Sequence, residues 1–161
     1  MASKIRGLQE TLRKFEKLKK SVDKQARKSM RTALNAGAKE MKKTLKPVVP
    51  TLKSSTNFRQ KGTVKNNVRH KTYVSKDGTK GYTVIGIMRP KGQKMARIGE
   101  NTRDKRDPFY WWMVNYGTEK MEGQHFMEKA ESAGKARAKK VAMDRLENEL
   151  RSSINRSIKN L

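Results

Sequence analysis

Residues 68–88 run Val68-Arg69-His70-Lys71-Thr72-Tyr73-Val74-Ser75-Lys76-Asp77-Gly78-Thr79-Lys80-Gly81-Tyr82-Thr83-Val84-Ile85-Gly86-Ile87-Met88, and this stretch supplies the sheet of an α+β chain. Two runs rich in β-branched and aromatic residues, Val68 to Ser75 and Tyr82 to Met88, flank Lys76-Asp77-Gly78-Thr79. Asp-Gly between such runs predicts a β-hairpin, because glycine accepts the positive φ that a tight reversal needs. In the second run Tyr82, Val84, Gly86 and Met88 share one face, and Thr83, Ile85 and Ile87 share the other. Both faces are partly apolar, which predicts a central strand. A shorter strand is expected just before, at Thr63 to Asn66.

On either side the apolar period changes from two to between three and four. Ile5, Leu8, Leu12, Phe15, Leu18, Val22, Ala26, Met30, Ala33 or Leu34, Met41 and Leu45 predict a long amphipathic helix over 1–46. Ser3 is its candidate N-cap, Pro47 and Pro50 its stop, and a break near Ser21 to Asp23 is left open. Residues 47–66 are polar, with Ser54, Ser55, Asn57 and Gly62, and predict a loop. After Gly123, Phe126, Ala130, Ala133, Val141 or Ala142, Leu146, Leu150, Ile154, Ile158 and Leu161 predict a second long helix. Ala33, Ala36, Gly37 and Ala38 in the first helix, and Ala130, Ala133, Gly134, Ala136 and Ala138 in the second, leave room for close backbones. The two helices are expected to cross there.

Between hairpin and last helix lies Asp107-Pro108-Phe109-Tyr110-Trp111-Trp112-Met113-Val114-Asn115-Tyr116-Gly117-Thr118, the most apolar stretch in the chain. Asp107 as N-cap, Pro108 at the first helical position and Gly117 past the end predict a short helix. A strand stays open, since aromatic residues favour sheets. Most of these rings are expected to be core. The fold class is therefore α+β, with a long N-terminal helix, a small antiparallel sheet with a β-hairpin, a short aromatic helix and a long C-terminal helix. A single domain, 1–161, divides into the N-terminal helix (1–46), a loop (47–66), the hairpin (67–89), a basic arm (90–107), and the aromatic segment with the C-terminal helix (108–161).

Lys and Arg number 40 against 15 Asp and Glu, a formal net charge of +25. A field of that sign attracts polyanions. Residues 1–107 carry 30 basic and 8 acidic side chains, whereas 108–161 carry 10 and 7, so the excess lies in the first two thirds. Only 34% of the residues are hydrophobic, below the roughly 45–50% of an ordinary globular chain. Such a chain is expected to complete its fold against copies of itself or a partner. The densest basic run holds Arg89, Lys91, Lys94, Arg97, Arg103, Lys105 and Arg106 among glycines, and reads either as a solvated loop or as an arm that orders along phosphate or an acidic neighbour. Glu119, Glu122, Glu128 and Glu131 gather at the start of the last helix, where the helix dipole favours negative charge.

Several classes of chemistry find no residues. There is no cysteine, which excludes disulfides and thiolate metal sites and suits a reducing cytoplasm. His70 and His125 lie far apart without acidic ligands at metal spacing. Lys91-Gly92-Gln93-Lys94 lacks the spacing of a phosphate-binding loop. No catalytic, metal or cofactor-binding residues are expected, so the chain reads as a non-enzyme without a cofactor. No apolar run approaches the roughly 18 residues of a membrane span, and the N-terminus lacks a signal-type hydrophobic region, so neither membrane insertion nor Sec export is expected.

The run from Phe109 to Ala130 resembles the signature of the tail-completion or head-tail joining proteins, neck and minor tail components of lambda-like siphophages. Members of that family show an aromatic stretch ending in Val-Glu-aromatic-Gly-Thr, then Met, then Pro-Phe and a helix with an early alanine. Here the matching letters are Val114-Asn115-Tyr116-Gly117-Thr118, Met121, His125-Phe126 and Ala130, with Asn115 and His125 in place of Glu and Pro. Tyr116, Gly117, Thr118, Phe126 and Ala130 are accordingly family-motif positions with a structural role. The order of elements along nearly the whole chain is similar as well. The resemblance implies a structural virion protein, assembled in the host cytoplasm and placed in the neck of the tail as an oligomeric ring, a hexamer. In such a ring Glu119, Glu122, Glu128 and Glu131 are candidate subunit contacts, facing a neighbour's basic arm. Its implied partners are tail terminator, tail tube, tape-measure or head connector proteins, and phage genomic DNA through non-specific phosphate contacts. The alternative of a different class is a stand-alone, non-specific nucleic-acid-binding protein.

Overall fold

The computed structural model describes residues 8–97, 100 and 103–159. The first helix, α1, spans Leu8–Val48 and runs through Ser21 to Asp23 without a break. Its expected cap, Ser3, lies outside the described residues. Pro47 falls inside the last turn, and the helix stops one residue beyond it. Pro47 gives up its own bond back to the Lys43 carbonyl, and the helix stops where Pro50 disfavours helical backbone at Val49.

The last helix, α4, spans Phe126–Lys159. It lies antiparallel to α1, since early residues of one meet late residues of the other. Gln25 Nε2 donates to Ser153 Oγ at 2.8 Å, and Arg137 pairs with Glu40 at 2.6 Å. The two small-residue patches do meet. A Cβ at Gly37 would stand 2.8 Å from the Ala138 carbonyl oxygen and 3.0 Å from the Ala142 Cβ, and one at Gly134 would stand 2.9 Å from Met41 Sδ and Thr44 Oγ1. At Gly37 the α4 backbone, and at Gly134 the side chains of Met41 and Thr44, fill the space that a Cβ would need.

Strands β1 (Val68–Val74) and β2 (Gly81–Ile87) form the expected antiparallel hairpin, in register from Val68 opposite Ile87 to Val74 opposite Gly81. The loop between them is six residues long, and Gly78 takes φ 76° with its backbone against Ala26 and Arg27 of α1. Two expectations are corrected here. The strand expected at Thr63 to Asn66 is a single helical turn, α2 (Thr63–Asn66). Gly62 at φ 77° turns the chain into it, and the Asn67 side-chain amide donates to the Thr63 carbonyl at 2.9 Å, an alternative to a strand ladder. Among the described residues no third strand joins this sheet, so β2 is an edge rather than a central strand. Its Ile85 and Ile87 pack inward, while Tyr82 and Val84 stay exposed. An apolar pattern records what a strand could cover, not what covers it.

The aromatic stretch becomes α3 (Trp111–Tyr116), three residues later than the expected start at Pro108. Pro108 to Tyr110 form a turn instead, with Trp111 N donating to the Pro108 carbonyl at 2.8 Å. Asp107 does not cap α3. Its buried carboxylate accepts the Phe109 and Ala96 amides, each at 3.0 Å. Then follows a feature absent from the sequence reading, a two-residue ladder of β3 (Gly117–Thr118) and β4 (Met121–Glu122). The core sits where α1, α2, the hairpin and α4 converge, on Leu45, Val49, Val64, Val68, Ile87, Phe126 and Ala130, with Tyr110, Trp111 and Val114 against it. Phe126, only 1% exposed, is its largest member, and burying such a ring contributes about 3 kcal/mol. At the far end of α1, Leu12, Phe15, Leu18 and Val22 are 54–64% exposed.

Candidate nucleic-acid and subunit interface

The basic arm is tied at its C-terminal end to the start of α2 and folds back on itself at Ala96. Gln60 N and Thr63 Oγ1 donate to the Lys105 carbonyl at 3.0 and 3.3 Å, Asn67 Nδ2 donates to the Arg106 carbonyl at 3.4 Å, and Ala96 N to Asp107. Of the seven basic residues singled out, Lys91, Lys94, Arg97, Arg103, Lys105 and Arg106 are exposed. Arg89 is not. Its side chain is only 11% exposed and its guanidinium donates to Asp104 at 2.7 Å. The Arg106 backbone N–H and the Arg89 guanidinium hold the Asp104 carboxyl below its ordinary range.

Beyond the arm, folding builds a second cationic surface. Lys39, Lys42 and Lys46 recur at steps of three and four, on the side of α1 where Asn35 meets His70 and Thr72 of β1. Arg69 lies next to this group, close enough to act on Lys42. Burial first, then the charges of Lys46, Lys39 and Arg69, pushes the Lys42 ammonium down from its usual value. Burial, then Lys42 and Lys39, pushes His70 down as well. Such like-charge crowding favours an anionic partner. Arg69 also lines a polar cavity of about 260 Å³ together with Arg89 and Arg106, so this surface continues into the arm. Arg59 caps the other side of the arm's root, its guanidinium 4.7 Å from the Phe109 ring and 5.0 Å from Tyr110.

The acidic candidates lie elsewhere. Leu34, Gly37, Ala38, Met41 and Ile85 line a groove of about 560 Å³ between α1, β2 and α4, with Glu128 and Glu131 on its wall. Glu131 pairs with Lys135 at 2.7 Å, and Glu119 and Glu122 are exposed around the β3–β4 ladder. On α1 the groove residues lie beside the lysines, with Lys42 one turn from both Ala38 and Leu45, so the acid-walled groove, with Thr83 and Ile85 of β2, adjoins the lysine surface on the β1 side.

The motif residues organise the start of α4. Gly117 takes φ 87°, and a Cβ there would stand 2.7 Å from the Met121 carbonyl oxygen. Thr118 Oγ1 accepts the Lys120 amide at 3.4 Å, Tyr116 is exposed, and Phe126 and Ala130 are both buried. The residue that ties this region together is one that the resembled motif marks only as a departure. Asn115 is completely buried, and its backbone carbonyl accepts the His125 amide while its side-chain Oδ1 accepts the Met127 amide, each at 2.9 Å. Its Nδ2 donates to Glu128, whose carboxyl is held low by its own backbone amide and by Asn115. His125 sits at φ 48°, a conformation closed to the proline that the resembled motif carries there. No family model, curated protein or solved structure matches the chain. Among the described residues, no three His, Cys, Asp or Glu side chains gather where they could hold a metal ion, and no helix is long and apolar enough to cross a membrane.

Proposed function

We propose that this chain is a structural virion protein of a tailed phage, a non-enzymatic subunit of a ring in the neck that completes the tail and joins it to the head. The observation that carries this reading is the divided surface, with lysines and arginines along β1 and the arm, and an acid-walled apolar groove on the β2 side. A subunit with two unlike faces makes heterologous contacts, and such contacts close rings. The groove and the exposed Glu119 and Glu122 would receive a neighbour's basic segment, while the remaining cations face the channel and meet genomic DNA through its phosphates. Exposed Leu12, Phe15, Leu18 and Val22 supply apolar area for assembly with copies or with tail terminator, tail tube, tape-measure or connector proteins.

Quantitative mass spectrometry of purified virions tests the reading. A fixed copy number per particle is expected, and particles lacking the protein should accumulate unjoined heads and tails. Absence from virions, with salt-sensitive duplex binding by a monomer or dimer, would overturn it in favour of a stand-alone nucleic-acid-binding protein.

A further inference from the structure

The 260 Å³ cavity at the root of the arm holds an arrangement that the rest of the chain does not explain. Arg69, Arg89 and Arg106 line it with one carboxylate, Asp104, and with the amides of Asn66 and Gln93. Three guanidiniums around one carboxylate leave two positive charges unbalanced. Arginine does not shed its proton in proteins, so this repulsion is not relieved in the way open to Lys42 or His70 nearby. Arg89 is held largely buried with a single carboxylate for a partner, and its Nε has no hydrogen-bond partner among the described residues. A buried cation with a donor unmade is costly unless further negative charge sits close by. Arg69 is committed at Nε to the Met88 carbonyl, at 3.1 Å, which holds its guanidinium in place at the cavity wall.

We infer that this cavity is a phosphate-binding site, in which Arg69, Arg89 and Arg106 surround a tetrahedral oxyanion and Asn66 and Gln93 donate to its remaining oxygens. Guanidinium forks match phosphate oxygens two at a time, and the planar carboxylate position is already filled by Asp104. The unbalanced charge of two suits a phosphate dianion better than a second carboxylate. The cavity offers many times the roughly 10–15 Å³ that a single water requires. This inference goes beyond the place of the chain in a virion, and stands or falls separately from it.

The test titrates the full-length chain with inorganic phosphate, at constant ionic strength against chloride, by calorimetry and thermal unfolding. Saturable binding and a raised unfolding temperature are expected. Arg106→Gln, at a side chain 78% exposed, should leave the phosphate-free chain at least as stable, since it removes one of three like charges, and weaken phosphate about tenfold, the scale of one charge-assisted hydrogen bond. Asn66→Asp, also at an exposed position, should weaken it at least as much, and Lys91→Gln, outside the cavity, should not. Phosphate no better than chloride, or equal affinity in Arg106→Gln, would overturn the site. A labelled short duplex distinguishes the sources of the group. If phosphate displaces the duplex and Arg106→Gln weakens duplex binding, the site takes a backbone phosphodiester; if the duplex is indifferent to both, it takes free phosphate or a phosphomonoester. Virion copy number is untouched by either result.

Discussion

Asn115, at the end of α3, donates its buried side-chain amide to both carboxylate oxygens of Glu128 in the first turn of α4, at 3.0 and 3.2 Å. The same side chain accepts the Met127 amide, one of the donors a helix N-terminus leaves unpaired. Asn115 thus acts as a cap supplied from a different helix. Replacing it by Ala should cost about 2–3 kcal/mol in denaturant unfolding, because a buried amide and a carboxylate lose their partner together. Asn115→Asp should be no better near neutral pH, since it sets two carboxylates against each other. Glu128→Gln in that background should recover part of the loss, and an additive double mutant would show that the two side chains do not interact.

Gly37 tests the helix crossing. An added methyl gains helix propensity but meets the Ala138 carbonyl at 2.8 Å, so Gly37→Ala should destabilise by about 1–3 kcal/mol rather than stabilise. Gly86→Ala is the contrast, with its nearest neighbour at 3.8 Å and a negligible change expected. Equal effects at the two sites in chemical denaturation would argue against the close approach.

The hairpin loop carries an acid limit. Hydrogen bonds from Ser75 and Thr79 hold the Asp77 carboxyl at about 2, down from an ordinary 3.8. A carboxyl lowered by folding adds stability that is present above the unfolded value and lost as pH falls through the folded one. Order in the loop, followed by the Thr79 amide resonance, should therefore persist above pH 3.8 and fade towards pH 2. Asp77→Asn should flatten that dependence.

His70 reports on the cationic surface. Its folded pKa lies below 6.5, chiefly through burial and then through Lys42 and Lys39. The unfolded chain then binds the proton more readily, so this residue penalises the fold increasingly as pH falls from 6.5 towards the folded value, and not above it. Proton NMR should place the imidazole midpoint below 6.5, and Lys42→Gln should raise it. Bound duplex DNA should raise it too, by neutralising the lysines. No movement in either experiment would separate His70 from that surface.

Phe15 and Leu18 stand exposed on α1. Changing both to Ser should alter the unfolding free energy of the isolated chain by only about 0.5 kcal/mol per site, as exposed positions usually do. Assembly should fall sharply in sedimentation if these residues serve subunit contacts.

The elements were largely legible in the sequence because each rests on local rules. Period three-to-four runs made α1 and α4, and β-branched runs around Asp77-Gly78 made the hairpin. The misreadings share one cause. Val64 and its neighbours wind into a turn because Asn67 ties its amide to Thr63, and Asp107 leaves α3 uncapped because its carboxylate is taken by Ala96, a residue from the arm. Asn115 passed for a departure from a motif, since the donors it satisfies arise only when α4 docks on α3.

Composition alone determined that this chain is cationic, cysteine-free and poor in core, and spacing alone determined that two small-residue patches could bring its long helices together. Both are properties of the chain that do not depend on what lies near what. The tertiary structure decided which charges act together. Lys39, Lys42 and Lys46 meet Arg69 and His70 across more than twenty residues of chain, and Arg69 meets Arg89 and Arg106 around one carboxylate. Electrostatic energy depends on distance through space and on burial, and neither can be read from separation along the chain.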